Sequence, residues 1–119
     1  MAKIEVYGYS KCSTCRKAYK YLDERGVQYN EVDITENAPS VAELKKVLKS
    51  YEGNLKRLFN TSGVAYRELK ISDKLKTMSD QEAIDLLSKN GRLVKRPFIA
   101  SSGAQLVGFK QEEWDEATF

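Results

Sequence analysis

The sequence predicts an α/β protein with a mixed sheet of about four strands and an all-helical insertion. Three patterns support this prediction: a strand–helix–strand unit in the first third, several helical segments without a clear strand in the middle, and two short strands near the end. The chain has 119 residues, of which 41% are apolar, so it can bury the core of one domain. We therefore predict a single domain over residues 1–119, with the helical insertion at about residues 36–90.

The first third has the pattern of one βαβ unit. Residues 3–8 alternate apolar and polar side chains and end in glycine, which is typical of a strand. A helical run follows Ser13-Thr14, continues to about Arg25 and is stopped by Gly26. Residues 28–34 alternate again and predict a second strand. Two strands joined by a helix in this way are expected to be parallel.

The middle of the chain carries two helix-start signals. Ser40 is followed by Glu43, and Ser79 by Glu82, each at the spacing of a capping box. Apolar residues at helical spacing predict helices over residues 41–48, 55–59, 66–69 and 79–89.

Two short strands and a helix close the chain. Residues 97–100 and 105–108 form a predicted hairpin around a turn at residues 101–103. Residues 111–116 predict a short helix with Trp114 on its apolar side. The element order therefore combines a parallel strand pair with an antiparallel one.

Composition excludes several kinds of chemistry. The chain contains no histidine, so it cannot build a Cys–His nucleophile pair, a Ser–His–Asp triad or a histidine metal site. Its formal charge of +3 is too small to indicate direct nucleic-acid binding. The first residues lack the apolar core of a signal peptide, and no apolar run reaches the roughly 20 residues of a membrane span. We expect a cytoplasmic protein without membrane contact, in a compartment that keeps thiols reduced.

Cys12 and Cys15 carry the strongest chemical signal. They follow the first strand at the C-x-x-C spacing of thioredoxin-like redox motifs. Cys12 is expected at the helix N-terminus and Cys15 one turn further, so that both sulfurs face one side. The helix-end N–H groups, with Lys11 and Arg16, should lower the pKa of Cys12 and make it the nucleophile. Cys15 should stay protonated until it resolves a mixed disulfide.

Other interpretations of the cysteine pair remain open. Two buried structural cysteines can occur at this spacing by chance. A closed zinc site needs about four nitrogen or sulfur ligands, so two cysteines would have to share the metal in a dimer. A phosphatase-type loop, Cys-x5-Arg, is excluded because Ala18 stands at the arginine position.

Arg96-Pro97 opens the third predicted strand and admits two interpretations. Proline at the start of a strand is common as a simple turn residue. Alternatively, a cis Pro97 faces the Cys12 thiolate, and Arg96 supplies positive charge to an oxyanion, a carboxylate or a sulfur anion. The sequence alone does not fix the isomer.

Four motifs run along the chain: Cys12-Ser13-Thr14-Cys15-Arg16-Lys17-Ala18, Asn60-Thr61-Ser62-Gly63, Tyr66-Arg67-Glu68-Leu69 and Asn90-Gly91-Arg92-Leu93-Val94-Lys95-Arg96-Pro97. Together they resemble the arsenate reductase (ArsC)/Spx/MgsR family over about residues 3–116, and most of all its uncharacterised glutaredoxin-like members. The resemblance implies a thioredoxin-like (glutaredoxin-like) fold. It also implies that Cys12 is the nucleophile and that Arg96 and a cis Pro97 face it.

The resemblance leaves three functions open. The glutaredoxin-like members suggest a thiol–disulfide oxidoreductase without a bound cofactor, served by glutathione, another thiol, glutaredoxin or thioredoxin. Spx is a redox-sensing regulator that binds the RNA polymerase α C-terminal domain, and Gly53 falls near the glycine of that contact. Glutaredoxin-dependent arsenate reductases hold their oxyanion with three arginines. This chain has Arg96 at one of these positions, Asn60 at the second, and Gly108-Phe109 near the third.

We expect the first of these functions, a thiol–disulfide oxidoreductase. In it Cys12 attacks the disulfide, Cys15 resolves the intermediate, and Arg96 stabilises the anionic partner. Arsenate reduction is disfavoured because two of the three oxyanion arginines are missing.

Overall fold

The structure is a computed structural model that describes residues 4–119; Lys3, the first residue of the predicted first strand, lies outside them. The strands are β1 Ile4–Gly8, β2 Tyr29–Asp33, β3 Phe98–Ala100 and β4 Gln105–Val107. The α-helices are α1 Ser13–Glu24, α2 Val41–Ser50, α3 Val64–Glu68, α4 Ile71–Lys74, α5 Asp80–Lys89 and α6 Gln111–Glu116. Two 3-10 helices cover Leu55–Leu58 and Gly91–Leu93.

The four strands form one mixed sheet in the order β2–β1–β3–β4. β1 is parallel to β2, whereas β1 with β3 and β3 with β4 are antiparallel. The predicted mixed four-stranded sheet is therefore confirmed, including the parallel pair joined by a helix. Because β1 is central, the loop that follows it emerges in the middle of the sheet edge, where ligands of α/β folds bind.

Helices cover both faces of the sheet because side chains alternate along each strand. Val6, Ile99 and Leu106 are in register and point to one face, where they pack with α1 and α6 around fully buried Trp114. Tyr7, Phe98 and Val107 point to the other face and pack with the helical insertion; the buried residues there include Leu44, Val47, Ile84 and Leu87.

The segment between β2 and β3 is helical, as predicted. Both capping boxes form: the Ser40 and Ser79 hydroxyls accept from the N–H groups of Glu43 and Glu82, and each glutamate accepts from the backbone N–H of its serine. Glu43 also accepts a 2.9 Å hydrogen bond from the Tyr7 hydroxyl, which ties the start of α2 to the sheet.

Several boundaries differ from the predictions. β3 begins at Phe98, since Pro97 has no N–H to donate to the sheet. The predicted helix over 66–69 begins earlier, at Val64, and α4 was not predicted. Phe59, predicted to end a helix, instead pairs with Val94 in an isolated β-bridge that fastens the insertion to the approach of β3.

Gly91 sets how closely the second 3-10 helix approaches β2. A Cβ atom at this buried position would collide with the carbonyl oxygen of Ile34. Glycine therefore allows the backbone that carries Arg92 and Arg96 to pass directly over the end of β2. Among residues 4–119, the structure contains no helix with the length and apolarity needed to span a membrane.

Candidate active site: the Cys12–Cys15 dithiol

Cys12 is the N-cap residue of α1. Its backbone is extended, with φ −89° and ψ 118°, and its sulfur accepts a 3.4 Å hydrogen bond from the backbone N–H of Cys15. Its own N–H donates to the carbonyl oxygen of Tyr9 at 3.0 Å, which closes the loop between β1 and α1. An N-cap side chain faces the unpaired N–H groups of the first helical turn, so a negative charge on Cys12 is stabilised there.

Cys15 lies in the first turn of α1 and is fully buried, whereas Cys12 is partly exposed. Both cysteines are free thiols. Gly8, at the end of β1, makes room for Cys15. A Cβ atom at Gly8 would lie 3.2 Å from the Cys15 sulfur and would collide with the Tyr19 hydroxyl. Because Gly8 has no side chain, the Cys15 sulfur can pack against the backbone at the end of β1.

Opposing influences act on the pKa of the Cys12 thiol, and the net effect lowers it. Partial burial works to raise this pKa. Hydrogen bonding from the thiol and backbone N–H of Cys15 and from Arg96, together with the charge of Arg96, outweighs burial and brings the pKa below the ordinary value. Cys12 is therefore the more readily ionised thiol of the pair.

Burial has the opposite result for Cys15. Desolvation is the largest influence, and hydrogen bonding to Cys12 adds to it, raising the pKa of Cys15 to about 12. The backbone N–H of Tyr9 and the charge of Arg96 act in the other direction and are outweighed. The pair therefore consists of one accessible, activated thiol and one enclosed, protonated thiol, as the pattern of α1 predicts.

Arg96 is held between the dithiol and the end of β2. Its guanidinium carbon lies 5.2 Å from the centre of the Tyr9 ring, in a cation–π arrangement. Hydrogen bonds from Thr35 lower the pKa of Asp33, and the Arg96 charge adds a smaller effect in the same direction. The Arg96–Pro97 peptide bond is cis, the isomer that the family resemblance implies.

A groove of about 320 Å³ begins beside the dithiol. We call it the arginine groove; the residues that define it are Tyr9, Asn60, Val64, Glu68, Arg92 and Arg96. Tyr9 and Arg96 belong both to this groove and to the surroundings of Cys12. The groove therefore adjoins residues that surround Cys12.

The remaining predicted residues are placed as follows. Lys11 and Arg16 are exposed, and Arg96 adds positive charge at the Cys12 sulfur. Asn60 lines the same groove as Arg96 and presents an uncharged amide there. Near the predicted third arginine position, Gly108 is buried, and the Phe109 ring packs edge-on against Trp114 with 5.0 Å between the ring centres.

Tyr9, Tyr19 and Arg92 were not predicted as site residues. Tyr9 lies in the loop between β1 and Cys12, where a side chain is expected to border the dithiol. Its position in the sequence was therefore a signal that could have identified it. Tyr19 is one turn after Cys15 on α1, and its ring stacks on Tyr29 at 5.5 Å. Arg92 had no local signal, because only the fold brings it into the groove.

Residues 4–119 contain no cluster of three or more acidic or cysteine side chains arranged to hold a metal ion. By contrast, the Cys12 sulfur accepts hydrogen bonds from the backbone N–H and the thiol of Cys15. The arrangement suits thiol–disulfide exchange, which requires one accessible thiolate and a second thiol close behind it.

A mixed four-stranded sheet with a dithiol at the N-terminus of its first helix and a cis-proline at the start of β3 defines a thioredoxin-like protein. The sequence pattern of the ArsC family matches residues 7–117. The chain belongs to the ArsC family.

Three similar proteins illustrate the range of this family. The chain is 46% identical over 113 residues to the uncharacterized protein YusI of Bacillus subtilis, covering 95% of this chain and 96% of that protein. It is 27% identical to the global transcriptional regulator Spx of Listeria innocua, covering 92% of this chain and 82% of Spx. The crystal structure described as a possible arsenate reductase of Streptococcus mutans superimposes with a TM-score of 0.85 at 38% identity, covering 97% and 99% of the two chains.

Proposed function

We propose that the protein is a thiol–disulfide oxidoreductase in which Cys12 is the nucleophile, Cys15 the resolving thiol and Arg96 the residue that stabilises the anionic sulfur. One observation carries this proposal. Two neighbouring thiols differ in accessibility and in the direction of their pKa shifts, and the accessible one has the lowered pKa.

The proposed reaction has two exchange steps. The Cys12 thiolate attacks one sulfur of a substrate disulfide, forms a mixed disulfide and releases the other half as a thiolate that takes a proton from water. Cys15 then loses its proton, attacks the Cys12 sulfur and releases the second half as a thiol. The substrate gains two electrons, and Cys12 and Cys15 become a disulfide.

The oxidised pair must be reduced again by a dithiol or by two monothiols. We propose glutaredoxin, thioredoxin or glutathione in this role, with no cofactor bound to the protein itself. A reducing compartment supplies these thiols, so we propose the cytoplasm as the setting.

The test uses the fully reduced protein and a small neutral disulfide such as bis(2-hydroxyethyl) disulfide, followed by intact mass. The parent protein is expected to lose two thiols and gain no adduct. Cys15→Ser should stop at one mixed disulfide, and Cys12→Ser should not react at a comparable rate. Unchanged disulfide reduction by Cys12→Ser would exclude the proposal.

A second function is favoured by the likeness to Spx, a global transcriptional regulator. In this alternative the dithiol is a switch, and its oxidation state controls docking on the RNA polymerase α C-terminal domain. Binding of that isolated domain to the oxidised and reduced protein would be measured by calorimetry, with Gly53→Arg as a surface variant. Absence of binding in both states would eliminate this alternative.

Arsenate reduction is the third alternative, and we expect it to fail. Asn60 is uncharged, and Phe109 packs into a hydrophobic cluster, so two expected oxyanion donors are missing. Each hydrogen bond to a charged group contributes roughly 1.5–3 kcal/mol, and losing two leaves the oxyanion weakly held. Arsenate turnover with glutaredoxin and glutathione as reductants would contradict this expectation.

A further inference from the structure

We propose that the arginine groove binds a carboxylate group on the disulfide substrate, with Arg92 as the residue that selects acidic peptides. This inference rests on the proposed oxidoreductase function and names its substrate class: disulfides in which acidic residues flank the cysteine.

The first argument is position. The Tyr9 carbonyl accepts the hydrogen bond from the Cys12 N–H, and the Tyr9 ring lies under the Arg96 guanidinium. The same two residues line the groove, so it lies next to the surroundings of Cys12, where the mixed disulfide forms. A residue that flanks the half-cystine bound to Cys12 is therefore expected to contact the groove.

The second argument is charge. The groove contains two arginines, Arg92 and Arg96, against one carboxylate, Glu68. Within residues 4–119 the salt bridges join other residues, so neither arginine is neutralised by an ion pair there. Guanidinium groups present a planar set of donors that matches a carboxylate, so an anionic ligand is favoured over a neutral or cationic one.

The third argument is shape and lining. Besides its charged side chains, the groove has the amide of Asn60 and the apolar side chain of Val64, which is 57% exposed. Binding sites for small ligands commonly combine an apolar surface with a few polar groups that fix orientation. The volume of about 320 Å³ is close to the lower end of such sites, so it suits a short peptide segment better than an extended chain.

Arg92 is positioned by its own backbone. Its N–H donates to the Asn90 side chain at 3.2 Å, and the preceding glycine packs against the end of β2. Arg96 already acts on the Cys12 sulfur, so its replacement would disturb the reaction itself. Arg92 is therefore the cation whose replacement separates substrate selection from chemistry.

The experiment compares two disulfides of identical size. The probes are the symmetric disulfides of N-acetyl-Glu-Cys-Glu-amide and N-acetyl-Gln-Cys-Gln-amide, reduced by the full chain with a neutral monothiol as reductant. The readout is the ratio of kcat/KM for the acidic probe to that for the neutral probe. The variants are Arg92→Gln and Glu68→Gln, with Arg67→Gln as the control because Arg67 is an exposed arginine of α3 outside the groove lining.

The parent protein is expected to prefer the acidic probe. Arg92 and Glu68 are exposed, and exposed charge pairs alter affinity by up to about fivefold, so Arg92→Gln should lower the ratio about twofold to fivefold. Glu68→Gln should raise the ratio by a similar factor, since it removes the repelling carboxylate. Arg67→Gln should leave it unchanged, and higher salt should reduce the preference of the parent protein.

Three results would overturn the inference: a ratio near one in the parent protein, no change with both groove variants, or an equal fall with Arg67→Gln. The proposed function fails in a different way, since neither probe would then be reduced by any variant. Circular dichroism of each variant identifies loss of fold, and the opposite sign expected for Glu68→Gln cannot result from unfolding.

Discussion

Replacing Arg96 with glutamine tests the electrostatic basis of the site. In the structure, hydrogen bonding and charge from Arg96 help to lower the pKa of Cys12 against partial burial, which works to raise it. Glutamine is shorter than arginine; it keeps a polar amide and removes the positive charge. The pKa of Cys12 is therefore expected to rise, which reduces the thiolate fraction at acidic and neutral pH.

The magnitude follows from the exposure of the site. A hydrogen bond to a charged group contributes roughly 1.5–3 kcal/mol, and solvent screening at a partly exposed sulfur reduces this to about 1 kcal/mol. The pKa of Cys12 should therefore rise, and about 1 kcal/mol corresponds to roughly a fivefold loss of thiolate at a pH well below the pKa. A more basic thiolate is also a better nucleophile, with a Brønsted slope of about 0.4–0.5.

These two effects predict that the curves of reaction rate against pH for the parent and for Arg96→Gln cross. Well below the pKa, Arg96→Gln should react about threefold more slowly because it has less thiolate. Well above the pKa, it should react about twofold faster because its thiolate is more nucleophilic. The assay is the pH dependence of the reaction with neutral 4,4′-dithiodipyridine, followed by absorbance in a Cys15→Ser background so that only the first exchange step is observed.

Arg67→Gln in the same background is the matched control, because it removes a surface arginine that does not line the groove. Its curve should superimpose on that of the parent. If the Arg96→Gln curve also superimposes on the parent curve, the charge of Arg96 does not act on Cys12 and the reasoning is refuted.

Three further predictions concern reactivity, packing and alkaline stability. At pH 7.5, iodoacetamide should modify Cys12 alone in the native protein, because Cys15 is buried with its pKa raised to about 12; peptide mapping that finds both labelled at equal rates would contradict this. Gly91→Ala should abolish folding or destabilise it by several kcal/mol, since its Cβ would collide with the Ile34 carbonyl; a denaturant midpoint equal to the parent's would count against this packing. Burial and a hydrogen bond to the Asp23 carboxylate raise the pKa of Tyr29 from 10.0 to about 12. The neutral tyrosine therefore stabilises the fold below pH 10, and this stabilisation is lost as the pH rises towards 12. Urea unfolding at pH 9 and 11.5 should show a smaller loss of unfolding free energy in Tyr29→Phe than in the parent.

The elements with strong local signals could be predicted from sequence. Ser40 and Ser79 begin helices because their hydroxyls and the glutamates three residues later satisfy the free N–H groups of one short segment. The placement of Cys12 as the N-cap of α1 follows from the adjacent strand and helix patterns in the same way.

Short elements were predicted less well because local preference does not decide them. α4 has four residues and follows Lys70, whose φ of 53° is uncommon for a side chain of that size. Its formation depends on burying Ile71 against the rest of the insertion. β3 has three residues and exists because β1 and β4 pair with it on both sides.

The sequence by itself determined the α/β class, the order of the major elements and the pair of thiols at a helix N-terminus, since each depends on residues close together in the chain. Only the tertiary structure decided that Arg92, Asn60 and Glu68 share one groove with Arg96. These residues come from segments far apart in sequence. Their meeting depends on the close passage at Gly91 and on the pairing of the central strands, which no local pattern encodes.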